Sequence, residues 1–205
     1  MSHPSIAWQR LQTGNRLSYA ALRTIKHTVD ADAHSPLAVV FRCADADTSS
    51  EAIFGQSARS LITISNWGHV IDTGVLATAE HAVGTLRTPL IVILGHQHCT
   101  AMHTALQAWK NVTIPEGTTR TVVEQAISSL ACQNANISSP DELSAAHVAQ
   151  TGVTLLEKSA VIAKAVDSRR CAIVCAVTAA DNGQLHTCAT FGEVAESNAP
   201  LLECV

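Results

Sequence analysis

Short apolar runs separated by polar, turn-rich stretches dominate the first half of the chain. Leu37-Ala38-Val39-Val40-Phe41, Leu61-Ile62-Thr63-Ile64 and Leu90-Ile91-Val92-Ile93-Leu94 are each four or five residues long. That is too short for a helix, and the branched side chains suit a pleated surface. The third run is apolar throughout, the pattern of a strand buried on both faces and hence of a parallel sheet. Between the second and third runs Val75, Leu76, Ala79, Ala82, Val83 and Leu86 recur at helical spacing, which predicts an amphipathic helix over Thr73 to Leu86. Strand, helix, strand in this order predicts right-handed parallel crossovers.

The same reading extends along the chain. Ile6, Trp8, Leu11, Leu17, Ala21, Leu22 and Ile25 mark a helical apolar face interrupted near Gly14-Asn15, which predicts two helical pieces, followed by a polar loop from Asp30 to Pro36. Thr48-Ser49-Ser50-Glu51 offers N-cap residues for a short helix. Further helices are expected over Thr100 to Trp109, Thr119 to Cys132 and Glu142 to Val166, the last begun by Pro140-Asp141-Glu142 with an acidic first turn. Cys171 to Thr178 reads as a fourth strand, and Asp181-Asn182-Gly183 as a hairpin turn that sends Gln184 to Phe191 back antiparallel. The predicted class is α/β: a mostly parallel central sheet with an antiparallel last strand, flanked by helices.

Composition narrows the picture. A chain of 205 residues is long enough for one well-buried core and short for two domains, so residues 1–205 read as a single domain with residues 1–30 as an amino-terminal helical arm. A net charge of -4 gives no basic footprint, which argues against nucleic acid or an anionic membrane surface as partner. No apolar run approaches the roughly twenty residues that span a bilayer, and Met-Ser-His-Pro-Ser lacks the features of a signal peptide, so a cytoplasmic protein is expected. Seven cysteines in no small-scaffold spacing argue for reduced thiols. Cys171 and Cys175 fall on one face of the fourth strand with Ile173 and read as buried structural thiols. The apolar residues of the amino-terminal helices, Trp8 among them, exceed what one small sheet is sized to cover, which predicts at least a dimer.

Candidate chemistry lies at two strand ends. The third strand stops at Gly95 and is followed by His96-Gln97-His98-Cys99, the place where an open α/β sheet puts its ligands. Cys43 closes the first strand and precedes Ala44-Asp45-Ala46-Asp47. Together Cys43, His96 and Cys99 offer two thiolates and one imidazole, a set that suits Zn²⁺ with a fourth tetrahedral position to spare. Spacing alone also leaves room for Cys43 as a small buried hydrophobe and His96 as a loop histidine.

Several motifs then fall in one order: Cys43-x-Asp45, Ser65-Asn66-Trp67-Gly68-His69-Val70-Ile71-Asp72, Thr78-Ala79-Glu80-His81-Ala82-Val83 and Gly95-His96-x-x-Cys99. This order resembles the β-class carbonic anhydrases, particularly their actinobacterial branch, over nearly the whole chain. The resemblance implies zinc at Cys43, His96 and Cys99, carbon dioxide and bicarbonate as substrate and product, and a homodimer or homotetramer. It implies that Asp45 orients the zinc-bound hydroxide, and that an Arg two residues later holds that carboxylate away from the metal. Here that position is Asp47. Unrestrained, Asp45 either becomes a fourth ligand and closes the site or is held by another cation, with Arg42, Arg59 and His98 in view. The resemblance also makes Ser65, Asn66, Trp67, Gly68 and His81 the pocket wall. Ser65 and Trp67 replace an arginine and a small residue of the family pattern, His81 a tyrosine, and Thr100 the glycine after the second cysteine. His98 is a further candidate, as a proton relay or as a solvated loop histidine.

The resemblance, with these departures from it, implies three functions to be told apart. The first is zinc-dependent reversible hydration of carbon dioxide, weak or pH-gated because Asp47 stands where the arginine should. The second is a catalytically silent zinc protein of the same fold that binds bicarbonate or a partner. The third is a hydrolase of carbonyl sulfide or carbon disulfide. The occupant of zinc's fourth position separates the first two.

Overall fold

The computed structural model describes residues 3–20, 36–57, 59–132 and 137–194. Among these, five strands form one sheet in the order β2-β1-β3-β4-β5. They are β1 Ala38–Cys43, β2 Leu61–Asn66, β3 Leu90–His96, β4 Ala172–Thr178 and β5 Leu185–Phe191. The first four are parallel and β5 pairs antiparallel with β4, as the hairpin signal predicts. Both faces are covered, so β3 and β4 are buried along almost their whole length while β5, at the edge, is half-buried. Cys171, Ile173 and Cys175 share one face of the core, as alternation along a strand requires. Burial pushes the Cys171 thiol up to about 12.

The chain leaves β1 towards one edge of the sheet and β3 towards the other. The carboxyl ends of these two strands therefore flank a crevice at the topological switch point. Helices α4 Thr100–Asn111, α5 Thr119–Cys132 and α6 Pro140–Lys158 gather over this crevice. Ala101, Met102, Ala105, Val123, Ala126 and Leu143 from them pack with Cys43 and Cys99 in a cluster of their own, separate from the two sheet-face cores. Helix α6 starts with a capping box between Ser139 and Glu142, with Pro140 in the first turn.

Three helical expectations need correction. Helix α1 Pro4–Ala20 runs unbroken through Gly14-Asn15. Gly14 is a point of close approach and not a break: a Cβ there would stand 1.9 Å from the carbonyl oxygen of Phe54 at the end of α2 Ser50–Phe54. Asn15 is buried beside it and donates from Nδ2 to the carbonyls of Ile53 at 2.8 Å and Gly183 at 3.3 Å. The second amino-terminal piece and most of the loop to Pro36 lie outside the described residues. The segment Thr73 to Leu86 is an α-helix, α3 Thr73–Glu80, that passes into one π-helical turn, His81–Thr85. The segment Glu142 to Val166 is two helices, α6 and α7 Ala160–Asp167, divided at Ser159. Its hydroxyl accepts from the Ile162 amide at 3.1 Å and donates to Glu80 Oε1 at 2.6 Å, which caps α7 and ties it to α3.

The amino-terminal apolar face also has a home in its own chain. Ala7, Trp8 and Leu11 are buried with Phe54, Val40 and Val92, so Trp8 does not itself call for a second subunit. Ile6 and Leu17 remain 61% and 62% exposed. No helix among the described residues is long and apolar enough to cross a membrane.

Candidate metal centre

Strand β1 delivers Cys43 to the crevice, β3 delivers His96, and the turn into α4 delivers Cys99. The Sγ atoms of Cys43 and Cys99 are 3.8 Å apart. Two Zn–S bonds of about 2.3 Å at a tetrahedral angle span about the same distance. His96 Nδ1 lies 2.9 Å from the Gln97 carbonyl oxygen. It donates its proton there, which leaves Nε2 free to ligate and fixes the ring. The turn is pinned from two sides: Gln97 N donates to the Thr178 carbonyl at 3.1 Å, and Ser144 Oγ donates to the His96 carbonyl at 3.2 Å.

Asp45 completes the cluster. Its Oδ1 stands 2.7 Å from Cys43 Sγ, 2.9 Å from His96 Nε2 and 3.9 Å from Cys99 Sγ. One ligand atom from each of Cys43, Asp45, His96 and Cys99 falls within 4.8 Å of the others. Two thiols, an imidazole and a carboxylate gathered in one place are a donor set that suits Zn²⁺ in preference to the harder cations, which favour oxygen alone.

The electrostatics are those of four tightly coupled groups. Cys99 is held below its ordinary pKa because it accepts from Cys43 and from the amides of Met102 and Ala101 at the start of α4. Cys43 is correspondingly raised, first by its bond to Cys99 and then by burial. Burial pushes the Asp45 carboxyl up, but hydrogen bonds from Cys43, Thr100 and His96 outweigh it and hold the group well below the usual carboxylate range. Burial likewise lowers His96, and the bonds to Cys43 and Asp45 more than reverse it. A divalent cation among these donors displaces their protons, so metal affinity rises with pH.

Asp45 is anchored, but not by a cation. Its Oδ2 accepts from the Thr100 amide at 2.9 Å and from Thr100 Oγ1 at 2.6 Å. Thr100 Oγ1 in turn accepts from Trp67 Nε1 at 2.8 Å. Arg42, as strand alternation requires, faces away and donates to the Ala46 carbonyl. Neither Arg59 nor the His98 ring bonds Asp45. Asp47 is exposed.

Behind the cluster stands a buried polar layer. Gly68 N donates to Cys43 Sγ at 3.1 Å. Its φ of +76° and the 2.4 Å from a would-be Cβ to Val122 Cγ1 leave glycine the only residue that fits there. The Gly68 carbonyl accepts from His147 Nε2 at 2.9 Å, and His147 Nδ1 accepts from Ser129 Oγ at 2.9 Å. His69 donates from Nε2 to the Leu94 carbonyl at 3.0 Å. Burial and the neighbouring His147 lower its pKa to about 3, and burial lowers His147 too.

The residues singled out in the sequence thus separate. Cys43, Asp45, His96 and Cys99 converge; Trp67 and Gly68 join them through hydrogen bonds. Asn66 clasps the 67–70 turn through both its side-chain atoms, to Val70 N at 3.0 Å and Val70 O at 2.7 Å. Ser65 pairs with Arg42 in register, on the sheet face opposite Cys43. His81 lies exposed in the π-helical turn, and the exposed His98 is tied through its backbone amide to Asp141 at 2.8 Å. Thr100 was legible only as a departure in the pocket wall, with no role attached to it, and His147 and Ser129 were not legible as site residues. The one available signal was that Thr100 and Trp67 both replace small residues of the resembled pattern.

A mostly parallel α/β sheet with a Cys-Asp-His-Cys cluster at its switch point defines a metalloprotein with its metal site at the strand ends. The sequence profile described as carbonic anhydrase matches residues 38–185. The chain is 34% identical over 202 residues to carbonic anhydrase 2 of Mycobacterium tuberculosis, covering 95% of this chain and 98% of that one. It is 33% identical over 202 residues to the carbonic anhydrase of Mycolicibacterium smegmatis, with the same coverage. This protein belongs to the carbonic anhydrase family. Its fold is that of the β class: the Coccomyxa β-carbonic anhydrase in complex with acetazolamide superposes with a TM-score of 0.66 at 17% identity, covering 88% of this chain and 81% of that one. A tetrameric β-carbonic anhydrase of Sordaria macrospora superposes at 0.63 and 17% identity, covering 75% and 81%.

Proposed function

We propose that this protein catalyses the reversible hydration of carbon dioxide to bicarbonate at a zinc site made by Cys43, His96 and Cys99, and that it does so weakly at neutral pH because Asp45 competes for the fourth position. The observation that carries the second half is the placement of Asp45 Oδ1 within 2.7 to 3.9 Å of all three ligand atoms. Zn²⁺ in such a set supplies a bound water acidified to a pKa of about 7 and a Lewis-acidic position for an oxygen ligand. The two thiolates and the imidazole hold the metal, and Gly68 N steadies the Cys43 sulfur. Asp45 Oδ1 either takes the fourth position or accepts a proton from whatever occupies it.

Metal analysis with stopped-flow hydration of carbon dioxide tests this. About one zinc per chain is expected, with slow but measurable hydration. Cys43→Ser or His96→Ala is expected to remove both the metal and at least about a hundredfold of the activity. Zinc retained in full by those variants overturns the site; full zinc with no hydration favours the silent zinc protein instead.

The functional assembly is inferred to be a dimer or tetramer. Ile6 and Leu17 stand exposed at the two ends of one face of α1, and the Sordaria macrospora relative is tetrameric. A monomeric mass by light scattering at micromolar concentration contradicts this. Seven cysteines in no small-scaffold spacing support a reducing, cytoplasmic setting.

A further inference from the structure

We propose that Thr100 and Trp67 form a positioning relay that anchors Asp45 in place of a cation and presents its Oδ1 to the metal. Thr100 is the first residue of α4, so its amide is one of the helix N–H groups with no partner inside the helix. Asp45, from the turn after β1, caps that amide through Oδ2 at 2.9 Å. The Thr100 hydroxyl adds a second donor to the same oxygen at 2.6 Å.

A hydroxyl can rotate, and its one proton has several directions to choose from. Trp67 removes the choice, because indole nitrogen is a donor only. With Trp67 Nε1 donating to Thr100 Oγ1 at 2.8 Å, the hydroxyl proton is directed to Asp45. Oδ2 therefore takes two donors and Oδ1 is left facing Cys43, His96 and Cys99.

The relay differs in consequence from an arginine fork. A guanidinium engages both carboxylate oxygens and draws them from the metal. Thr100 engages one oxygen only and holds the other towards the metal. Where the resembled pattern has a cation at position 47, two neutral donors of Thr100, its amide and its hydroxyl, act on the Asp45 carboxylate here.

This inference rests on the zinc reading above, and its test separates the two. Visible absorption of the Co²⁺-substituted protein, titrated with thiocyanate, reports whether the fourth position is open. Thr100→Val keeps the branched shape and removes the hydroxyl, freeing Asp45 to leave the metal-facing pose. Its thiocyanate affinity is expected to rise about tenfold, the effect of one hydrogen bond to a charged acceptor, with a changed cobalt spectrum. Trp67→Phe is expected to shift the same way by about threefold, and Thr100→Ser to behave as the native protein. Because Trp67 acts through Thr100, the double variant Trp67→Phe/Thr100→Val is expected to match Thr100→Val alone within about twofold. Thiocyanate affinity and spectrum unchanged in both Thr100→Val and Trp67→Phe overturn the relay, as does a Thr100→Ser variant no closer to native than Thr100→Val. Failure of the native protein to bind Co²⁺ through its cysteines overturns the metal reading itself.

Discussion

Asp45 has two oxygens with different surroundings, and that asymmetry decides what a change at Asp47 can do. An arginine introduced there needs carboxylate lone pairs that Thr100 already occupies on Oδ2. Asp47→Arg alone is expected to change carbon dioxide hydration by less than about threefold. Combined with Thr100→Gly, which removes the hydroxyl, it is expected to raise the rate about tenfold or more, a coupling that a double-mutant cycle reads directly. A full gain from Asp47→Arg alone would show that Thr100 does not hold the carboxylate.

At the scale of elements, two contacts position what the site stands on. Helix α1 reaches α2 only because Gly14 lacks a side chain, and the 1.9 Å from a Cβ to the Phe54 carbonyl is incompatible with alanine unless one helix moves. Gly14→Ala is expected to cost about 2 kcal/mol in urea unfolding, the scale of an overpacked contact. Alanine is the better helix former, so a gain in stability there would mean the approach is looser than the structure shows. Ser159 both caps α7 and bonds Glu80. Ser159→Ala is expected to cost about 1 to 2 kcal/mol by the same measurement, and no loss would mean that the break between α6 and α7 needs no cap.

For the whole molecule, the buried histidines make stability depend on pH. His69 and His147 are neutral in the folded protein, with pKa values below the ordinary 6.5, that of His69 at about 3. Groups lowered in this way contribute stability above their unfolded pKa and lose it as pH falls. For His69 the loss runs from about pH 6.5 towards pH 3 at about 1.4 kcal/mol per pH unit. The groups facing His69 are His147, His96 and Asp45. A metal held by His96, as proposed, would take that ring, whose own shift has the opposite sign, out of the titration. Thermal unfolding of the zinc-loaded protein is expected to show a level Tm from about pH 8 to 7 and a steady fall below about pH 6.5. A Tm level down to pH 5 would show that these rings titrate as free imidazoles.

Much of this protein is written in local pattern. The apolar runs ending at Phe41, Ile64 and Leu94 gave the three leading strands, and Asp181-Asn182-Gly183 gave the antiparallel return, because period and turn chemistry act over a few residues. Cys43, His96 and Cys99 were legible for the same reason: each closes a strand or opens a helix, and strand ends in an open parallel sheet converge. Other features depend on residues far apart in the chain. Gly14 read as a break and is a helix contact, because its reason lies at Phe54. Ser159 sits inside an unbroken helical pattern and divides it, because its hydroxyl caps α7 and donates a hydrogen bond to Glu80. The expected partner of Asp45 was a cation, Arg42, Arg59 or His98, and the partner is the neutral Thr100, 55 residues on, its hydroxyl aimed by Trp67. Sequence fixes which groups exist and how each segment folds locally; which lone pair meets which donor is settled only when the strand ends, the turn at Gly68 and the start of α4 are packed together.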